Sequence, residues 1–325
     1  MDNEPPIPFL GGPLVIQKNF LNKFMVKPGK PVYFQDLDPG WASHKDLLDK
    51  FGEERVMKLA KKILKRNLEN LAEAQNLLWA SDTYGILVIL QAMDAAGKDG
   101  IIRHVMSGLN PQACQVHNFK KPTNDELDHN FLWRYMKNVP QRGRIGIFNR
   151  SYYEDVLVVK VHPEYLDTQK LPPGVKSDKI WKHRYSDINH FEKHLTRNGI
   201  IVLKFYLHMS KDEQRKRLLE RLNNPAKHWK FSDSDLPERA YWDDYMKAYE
   251  DAIAATSTEW APWYVIPSNH KWASRTLVAD ILAGTICNLG LEFPKITPER
   301  RKRLEAARIQ LENEIEDLVE GTMTA

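Results

Sequence analysis

A short loop at residues 92–98 carries the clearest chemistry in this sequence of 325 residues. The five residues before it, 86–90, are all apolar, and the loop combines small side chains and one aspartate with a closing Gly97-Lys98 pair. Where an apolar strand leads into such a loop and then a helix, backbone N–H groups, the helix N-terminus and the lysine ammonium converge on one anion. We call residues 92–98 the phosphate loop, because this pattern predicts that a phosphate chain binds there.

The phosphate loop departs at two positions from the pattern G-x-x-x-x-G-K-[ST] of phosphate-binding loops. Ala92 replaces the first glycine, and Asp99 replaces the hydroxyl residue that usually holds magnesium. Asp94 places a carboxylate beside phosphates, which is unfavourable unless a divalent cation lies between them. The sequence therefore predicts Mg²⁺ at Asp94, with Mn²⁺ as the alternative. A Gly-Lys pair also fits an ordinary helix start, but the preceding strand and the surrounding charges favour phosphate binding.

A second group of polar residues, within residues 148–155, directly follows another apolar run. Phosphoryl transfer requires a cation over the transferring group and carboxylates for magnesium. Arg150, Glu154 and Asp155 supply both residue types at the end of a predicted strand. We therefore predict that this segment lies beside the phosphate loop.

Residues 211–230 form a basic segment that is predicted to contribute a lid. It contains seven Lys or Arg against three acidic residues, whereas the whole chain has a net charge of +4. Arg217 and Arg221 are four apart and share a helix face, and the Asn-Asn-Pro sequence at 223–225 predicts a break at which the segment can move. Such a lid, at about residues 211–240, would close over phosphates and exclude water. The alternative is a charged helix face in contact with solvent.

Residues 119–134 contain candidates for binding a nucleobase. Phe119 is followed by two lysines and Pro122, and Arg134 lies in the helix predicted after them. An aromatic ring next to lysines is suited to stacking on a base and holding its phosphate, but Phe119 fits a hydrophobic core equally well. The 11 histidines show no spacing typical of metal ligands.

The elements that must position these residues alternate between strands and helices. The predicted strands are 86–91, 115–119, 145–148, 200–206 and 263–266. The predicted helices are 53–80, 97–107, 123–138 with Thr123 as its cap, 178–197, 210–223 with Ser210 as its cap, 237–256 and 273–289. This alternation predicts the α/β class, with a mainly parallel sheet sandwiched between helices and ligands bound beyond the C-terminal strand ends.

Three regions are predicted along the chain. Residues 1–45 are rich in Pro and Gly and predict an irregular N-terminal arm, residues 46–292 form the catalytic domain, and residues 293–325 form a charged C-terminal helix. Leu304, Leu311 and Leu318 lie seven apart in that helix. This spacing fits a helix that packs on its own domain or a short oligomerisation helix, since so few heptads do not define a coiled coil.

The cysteine content and the apolar stretches of the sequence indicate the cellular location that we expect. The two cysteines, Cys114 and Cys287, cannot form a disulfide framework and favour a reducing compartment. The acidic, proline-rich beginning of the sequence differs from a signal peptide, and no apolar stretch approaches the length of a membrane span. We therefore expect a cytoplasmic protein that has neither a membrane nor a nucleic acid as partner.

Several segments, taken in order, resemble the polyphosphate kinase 2 family. They are residues 91–100, 119–123, 131–134, 147–159, 204–214 and 261–267, and the resemblance extends over about residues 50–290. It implies a P-loop kinase-like fold, with a Walker A type loop and a helical lid. It also implies reversible, magnesium-dependent transfer of the terminal phosphoryl group between inorganic polyphosphate and a nucleotide, by a homo-oligomer.

The resemblance implies roles for individual residues. Asp94 would bind magnesium and orient the acceptor phosphate, Lys98 would hold phosphate, Arg150 would neutralise the transition state, and Asp155 would support the metal. Lys204, Arg217 and Arg221 would contact polyphosphate. The nucleotide contacts would be Ala95, Ala96, Gly97, Asp99, Gly100, Arg103, Phe119, Pro122, Arg134 and Asn149.

Asn149 and Glu154 also bear on the choice of acceptor. Family members that act on diphosphates alone often have Asp and Asn at these two positions. The resemblance therefore implies the branch that accepts monophosphates, class III, which would convert AMP to ADP and ADP to ATP, with GMP and GDP as further candidates.

Two alternatives remain at this level. An ATP-dependent nucleotide kinase would need a second base-binding pocket for its donor, whereas polyphosphate needs a basic groove such as residues 211–230 predict. A non-enzymatic protein that binds nucleic acid or another polyanion would not need Asp94 and Asp155, which repel phosphate when no metal is bound.

Overall fold

The computed structural model describes residues 23–41 and 49–323, and the chain divides into two compact units, residues 1–291 and 292–325. The smaller unit contains the charged helix Pro298–Met323, which spans the region where the sequence predicts one. All the elements below belong to the larger unit. Among the described residues, no helix combines the length and apolar character that crossing a membrane requires.

A parallel sheet forms the centre of the larger unit. Its strands are β1 (Gly85–Gln91), β2 (Cys114–Asn118), β3 (Ile145–Asn149), β4 (Ile200–His208) and β5 (Trp263–Pro267), in the order β2-β3-β1-β4-β5. Every pairing is parallel. Every residue of β1 and β3 is buried, because helices cover both faces of the sheet, and this explains their uninterrupted apolar runs. The predicted α/β class is confirmed.

Strand register decides which loops meet at the C-terminal edge. Leu90 of β1 lies opposite Asn149 of β3, and Gln91 lies opposite Tyr206 of β4. The phosphate loop therefore leaves the sheet between the ends of β3 and β4. Chain connections diverge from β1 at this point, which is where parallel sheets bind their ligands.

Helices cover the two faces of the sheet. In chain order they are α1 (Glu53–Ser81), α2 (Lys98–Val105), α3 (Asn124–Leu127), α4 (Trp133–Met136), α5 (Val158–Val161), α6 (Ile180–Arg197), α7 (Lys211–Asn223), α8 (Asp235–Ala240), α9 (Trp242–Thr256) and α10 (Lys271–Cys287). Helices α1, α2 and α10 pack together on one face, around residues such as Leu78, Val88 and Ile281. Helices α6 and α9 cover the other, where Ile89 and Phe191 are buried.

Two predicted helices are interrupted. Thr123 caps a helix as predicted, with a reciprocal capping box to Glu126, but α3 ends at Leu127 and α4 begins only at Trp133. Between them the Asn130 side chain accepts a hydrogen bond from the Leu132 N–H at 3.1 Å, and this local bond replaces the helical one. The predicted helix 237–256 begins earlier, at residue 235, and consists of α8 and α9.

The predicted lid has the expected local structure. Ser210 caps α7 by accepting a hydrogen bond from the Glu213 N–H at 3.1 Å, and α7 ends at Asn223. Asn224 is extended, with φ −114° and ψ 107°, and a 3-10 helix follows at Pro225–Lys230. The break predicted at the Asn-Asn-Pro sequence is confirmed, while its mobility stays a prediction.

Part of the predicted N-terminal arm lies against the sheet. Met25 forms an antiparallel bridge to Tyr264 of β5, and the Phe34 ring stacks on Tyr206 with ring centres 4.7 Å apart. Residues 1–22 and 42–48, and with them the rest of the predicted arm, lie outside the described residues.

Candidate active site

The phosphate loop curls around its own lysine. The Lys98 ammonium donates a hydrogen bond to the Ala92 carbonyl at 2.7 Å. Ala95 has a positive φ of 65° and Gly97 one of 113°, which lets the chain turn sharply into α2. No side chain caps α2, so its N-terminus is open to an anion. The loop thus combines a sharp turn with an uncapped helix N-terminus, and phosphate binding there stays a prediction.

An ion pair between Asp94 and Arg150 joins the loop to the end of β3. The Arg150 Nη2 lies 2.8 Å from Oδ1 of Asp94, and both side chains are about 40% exposed. Burial would raise the pKa of Asp94, but Lys98 and Arg150 outweigh it, so that pKa is lowered. Arg150 has a φ of 65°, a strained conformation for a residue other than glycine and one that is frequent at functional sites.

Glu154 and Asn149 belong to the same region. Glu154 makes the largest contribution to the raised pKa of Arg150, and its Oε1 accepts a hydrogen bond from the Gln91 amide at 2.9 Å. The Asn149 amide donates to Oδ1 of Asp99 at 3.0 Å, which connects the end of β3 with the first turn of α2. The structure therefore gathers these predicted residues around the loop.

Asp155 points to a different place from the one predicted. Its carboxylate accepts a hydrogen bond from Gln169 at 2.8 Å and lies 3.7 Å from the Arg184 guanidinium. Burial raises its pKa to about 6, although Arg184 partly opposes this shift. Within the described part of the chain, no group of three or more His, Cys, Asp or Glu side chains is arranged to hold a metal. Gln169 and Arg184 thus engage Asp155, and its predicted role beside Asp94 at one metal stays a prediction.

Asp155 instead lines a cavity of about 170 Å³ together with Pro122 and Arg134. We call it the Arg134 cavity. The Arg134 guanidinium is 3.0 Å from Glu126 and donates to the Lys120 carbonyl at 2.9 Å, while its buried Nε has no hydrogen-bond partner among the described residues. Two predicted nucleotide contacts, Pro122 and Arg134, are therefore brought together here.

Phe119 does not line the Arg134 cavity. Its ring is buried edge-on against Phe148, with ring centres 4.9 Å apart, and contacts Tyr135 at 4.5 Å. Of the two roles that the sequence left open for Phe119, the structure supports packing in the core.

Arg217 has a role different from the predicted one. It is 6% exposed, and its Nε donates to Glu213 at 2.7 Å. Its Nη1 donates to the carbonyls of residues 95 and 96 at 3.1 and 2.8 Å, and its Nη2 to those of residues 268 and 269 at 2.6 and 3.0 Å. A guanidinium has five N–H donors, and all five are used. Arg217 therefore fixes the phosphate loop and has no donor left for a phosphate.

Arg221, one turn further along α7, remains available. Its Nη1 donates to the Lys230 carbonyl at 3.0 Å and lies 3.4 Å from Asp235. Its side chain is 22% exposed, and its charge contributes to the lowered pKa of Asp94. Its Nη2 has no hydrogen-bond partner among the described residues. Of the two predicted lid arginines, Arg221 is the one that keeps unused donors, and its contact with phosphate stays a prediction.

Lys204, predicted to bind polyphosphate, lies in the core. It is 0% exposed, and its ammonium contacts Glu192 at 2.6 Å, the Tyr153 hydroxyl at 3.0 Å and the Thr256 carbonyl at 2.7 Å. The three donors of the ammonium are thus satisfied inside the protein. The prediction for Lys204 is wrong, because its side chain points into the core between β4 and α6 rather than towards the strand ends.

The Lys204–Glu192 pair nevertheless positions part of the site through two tyrosines. Glu192 also accepts hydrogen bonds from the hydroxyls of Tyr152 and Tyr153, at 2.8 and 2.9 Å. These tyrosines lie between Arg150 and Glu154 in the sequence. The buried pair therefore fixes the segment that presents both charged residues to the loop.

One residue of the site was missed in the sequence. The Gln214 amide donates to the Asp94 carbonyl at 3.1 Å, and its Oε1 accepts from Arg239 of α8 at 2.7 Å. Gln214, Arg217 and Arg221 are spaced by three and four residues, so they share one face of α7. This spacing in the sequence could have identified Gln214 as a residue on the same helix face as the two arginines.

Comparisons with known proteins identify the family of this chain. A family model described as Polyphosphate kinase 2 (PPK2) matches residues 56–290. The ADP-polyphosphate phosphotransferase of Rhodopseudomonas palustris is 52% identical over 250 residues, which are 77% of this chain and 86% of that protein. The AMP/ADP-polyphosphate phosphotransferase of Meiothermus ruber is 45% identical over 275 residues, which are 85% and 96%.

A solved structure is also similar. The crystal structure of polyphosphate kinase 2 from Arthrobacter aurescens TC1 superimposes with a TM-score of 0.77 at 39% sequence identity. The match covers 93% of this chain and 99% of that one. The likeness therefore extends over nearly all of both chains and includes the sheet that positions the phosphate loop.

Proposed function

The chain belongs to the polyphosphate kinase 2 family, and from this premise we propose that it transfers the terminal phosphoryl group of inorganic polyphosphate to AMP and ADP. The observation that supports this most strongly is the group of charges at the phosphate loop. Lys98, Arg150 and Arg221 face a region with Asp94 at its centre, as transfer of a phosphoryl group between two polyanions requires.

The reaction needs little proton chemistry. An oxygen of the acceptor's terminal phosphate forms the new bond to the last phosphorus of polyphosphate, and the bridging P–O bond breaks. The shortened polyphosphate leaves with the bonding electron pair. The attacking oxygen is already ionised, so positioning and charge neutralisation supply the rate. The same groups serve the reverse direction, so we propose that the transfer is reversible.

Magnesium fits this site when it arrives with the substrates. Oδ1 of Asp94 is engaged by Arg150, and its other carboxylate oxygen can take a cation. Mg²⁺ is commonly held by one or two carboxylates together with phosphate oxygens and water. We propose that Asp94 holds Mg²⁺, or Mn²⁺ in its place, and that the ion neutralises phosphate charge. Asp155 is not part of this proposal, because Gln169 and Arg184 engage it elsewhere.

The acceptor nucleoside is proposed to occupy the Arg134 cavity. Pro122 and Arg134 line it, and Asp155 connects it to the segment that carries Glu154. The unpartnered Nε of Arg134 offers a donor to a base or ribose. Glu154 supports assignment to the branch that accepts both AMP and ADP, with guanine nucleotides as further candidates. A homo-oligomer remains an expectation from the resemblance, and a cytoplasmic location remains one from the sequence composition.

Comparing AMP and ADP as acceptors tests the proposal. Purified protein, Mg²⁺ and long-chain polyphosphate are incubated with either nucleotide in the absence of ATP, and products are separated by chromatography. We expect ADP and ATP from AMP, ATP from ADP, and loss of both activities when EDTA removes the metal. Transfer that occurs only when ATP is added would contradict the proposal and favour an ATP-dependent nucleotide kinase.

A further inference from the structure

Three successive carbonyl groups of the phosphate loop are held by one face of α7. The Gln214 amide donates to the carbonyl of Asp94 at 3.1 Å, and Arg217 donates to the carbonyls of the next two residues. In a trans peptide group the C=O and the N–H point to opposite sides, so the N–H that follows each held carbonyl points away from α7. The bonds from α7 therefore set the direction in which the loop presents its N–H groups.

The orientation of the Gln214 side chain is fixed by Arg239. A glutamine amide has a donor end and an acceptor end, which change places when the group turns over. Nη1 of Arg239 lies 2.7 Å from Oε1 of Gln214, and a guanidinium can only donate. The amide oxygen therefore faces Arg239, which leaves the NH₂ group for the carbonyl of Asp94. Gln214 is 2% exposed, so water has little access to either bond.

Arg239 belongs to a helix that is held at two adjacent residues. Its Nη1 also donates to the carbonyl of Lys211, the first residue of α7, at 2.8 Å. The residue before it in α8, Glu238, accepts from the Tyr245 hydroxyl at 2.6 Å and lies 3.0 Å from Nε2 of His162. Helix α8 is thus joined to α9 and to the end of α5 by one residue, and to α7 by the next.

We propose that Arg239 is a positioning residue for phosphoryl transfer, and that it acts through Gln214 on the backbone of Asp94. This inference rests on the proposed function and adds to it two residues that the function did not use. Asp94 carries the carboxylate proposed to hold the metal ion, and a shift of its backbone shifts that carboxylate. Small displacements of a reacting group have large effects on rate. Helix α8 therefore acts on the reaction through the geometry of the loop.

The main test is Gln214→Glu. This variant keeps the side-chain length and an oxygen for Arg239, but it places a second oxygen where the NH₂ group faced the carbonyl of Asp94. If Gln214 only stabilised the fold, kcat would stay at the wild-type value, because Arg239 keeps its acceptor. We expect kcat with ADP and long-chain polyphosphate to fall about tenfold to a hundredfold, and KM for both substrates to stay within about twofold of wild type. Steady-state kinetics measure these constants.

Gln214→Met separates the lost donor from the added charge. Methionine is similar in length to glutamine and carries no charge that could repel a phosphate. We expect kcat to fall about as far in this variant as in Gln214→Glu. A wild-type kcat in Gln214→Met, with a loss only in Gln214→Glu, would show that the added charge lowers the rate and would overturn the inference.

A second pair of variants tests Arg239 itself. In Arg239→Met the Gln214 amide is free to turn over, so we expect kcat to fall several-fold. Arg239→Lys still donates to the amide oxygen and should restore most of the rate. A wild-type kcat in Arg239→Met, or equal losses in the two variants, would contradict a role that depends on donation to Gln214.

Hydrogen exchange, followed by mass spectrometry, gives a readout that needs no substrate. Peptides that contain residues 92–98 should exchange faster in Gln214→Glu, Gln214→Met and Arg239→Met than in wild type, because the loop loses a restraint. Peptides from β4 should exchange at the wild-type rate, which shows that the fold is intact. Unchanged exchange at the loop in all three variants would overturn the inference.

Two matched variants act as controls. Gln115→Glu makes the same substitution at an exposed position of β2, and Arg197→Met does so at an exposed position in the last turn of α6. Both should keep wild-type kcat, KM and exchange at residues 92–98. Failure of the proposed function looks different. Wild-type protein would then transfer nothing from polyphosphate to either nucleotide, while the exchange measurements would still show whether Gln214 and Arg239 hold the loop.

Discussion

Two lysines, one on β4 and one at the start of α2, show how different a buried cation can be. Lys204, on β4, is matched by Glu192 and has its three donors satisfied inside the core. Lys98, the first residue of α2, donates to a carbonyl of its own loop and lies near another cation, Arg150. Burial lowers the pKa of Lys98, and Arg150 lowers it further.

The difference lies in charge balance rather than in residue type. The Lys204 region is closed, because a carboxylate and two tyrosine hydroxyls complete it. In the Lys98 region, neighbouring cations repel each other and lose hydration on burial. A bound phosphate chain would offset that cost. Among the described residues, the Lys98 ammonium bonds only carbonyls of its own loop, whereas the Lys204 ammonium bonds a carboxylate. A cation without a directly bonded acid is therefore the better indication of a binding site. Each prediction below tests a part of this contrast.

The largest effect is expected for Asp94→Ala. This variant lacks the carboxylate proposed to hold the metal ion. Turnover should therefore fall by at least roughly 10⁴-fold. Stability should change little, since Asp94 is partly exposed. Single-turnover assays and thermal unfolding measure the two quantities. Asp233→Ala, at an exposed position in the lid, is the control, and wild-type turnover in Asp94→Ala would refute the mechanism.

For Lys204→Met, the main effect is expected on stability rather than on turnover. It leaves Glu192 buried without its partner, which typically costs about 3–5 kcal/mol of unfolding free energy. The double variant Lys204→Met with Glu192→Leu should recover much of that loss, because no unpaired charge remains. Urea unfolding measures both. A double variant no more stable than the single one would show that the pair itself, rather than its charge balance, stabilises the core.

The two arginines of α7 repeat the contrast within one helix. Arg217→Lys removes bonds to the loop carbonyls and should lower kcat about tenfold to a hundredfold, through misplacement of the loop. Arg221→Lys retains a charge near the phosphates and should mainly raise KM for polyphosphate, by several-fold, as expected when a bidentate group is replaced. Steady-state kinetics with varied polyphosphate separate the effect on kcat from the effect on KM. The same changes in kcat and KM for both variants would contradict the different roles assigned to the two arginines.

Asp155 should give a pH dependence opposite in sign to that of Asp94. Its folded pKa of about 6 exceeds the ordinary value of 3.8, so the folded state binds the extra proton between those pH values. Stability from this group is therefore greatest at low pH and is lost as the pH rises to about 6. Asp155→Asn should be more stable than wild type at pH 7, by up to roughly 3 kcal/mol. Chemical unfolding at pH 4 and 7 tests whether this gain shrinks at the lower pH.

The smallest effect is expected for Glu154→Asn. Glu154 lies beside Arg150 and the end of β1, and we expect its loss to reduce kcat/KM for AMP several-fold more than that for ADP. Both nucleotides are compared at saturating polyphosphate. Equal losses on the two acceptors would show that Glu154 does not select between them.

The sequence predicted the fold class and most of the elements. Apolar runs predicted β1, β3, β4 and β5, and caps such as Ser210 and Thr123 marked true helix starts, because both signals act over a few residues. The interruption between α3 and α4 was missed, since a side-chain hydrogen bond at Asn130 competed with helical periodicity. Family membership was likewise recognised from the order of the motifs.

Side-chain partners were harder to predict than residue types. Lys204, Arg217 and Asp155 were each assigned to the site because of their type and their position near a strand or helix end. In the structure, all three side chains bind other partners. The partner lies 12 residues away in the sequence for Lys204 and 14 for Asp155, and the loop contacts of Arg217 lie 121 and 122 residues away. Such pairings depend on strand order and packing, which no local pattern contains.

The sequence by itself thus determined a strand, a phosphate loop and a helix, in a chain of the polyphosphate kinase 2 family, because these are set by short-range periodicity and motif order. The tertiary structure alone decided which partner each cation meets. It placed β1 between β3 and β4, so that Arg150 meets Asp94 at the loop while Lys204 meets Glu192 in the core. The physical reason is that charge balance is a property of neighbours in space, and the folded sheet determines those neighbours.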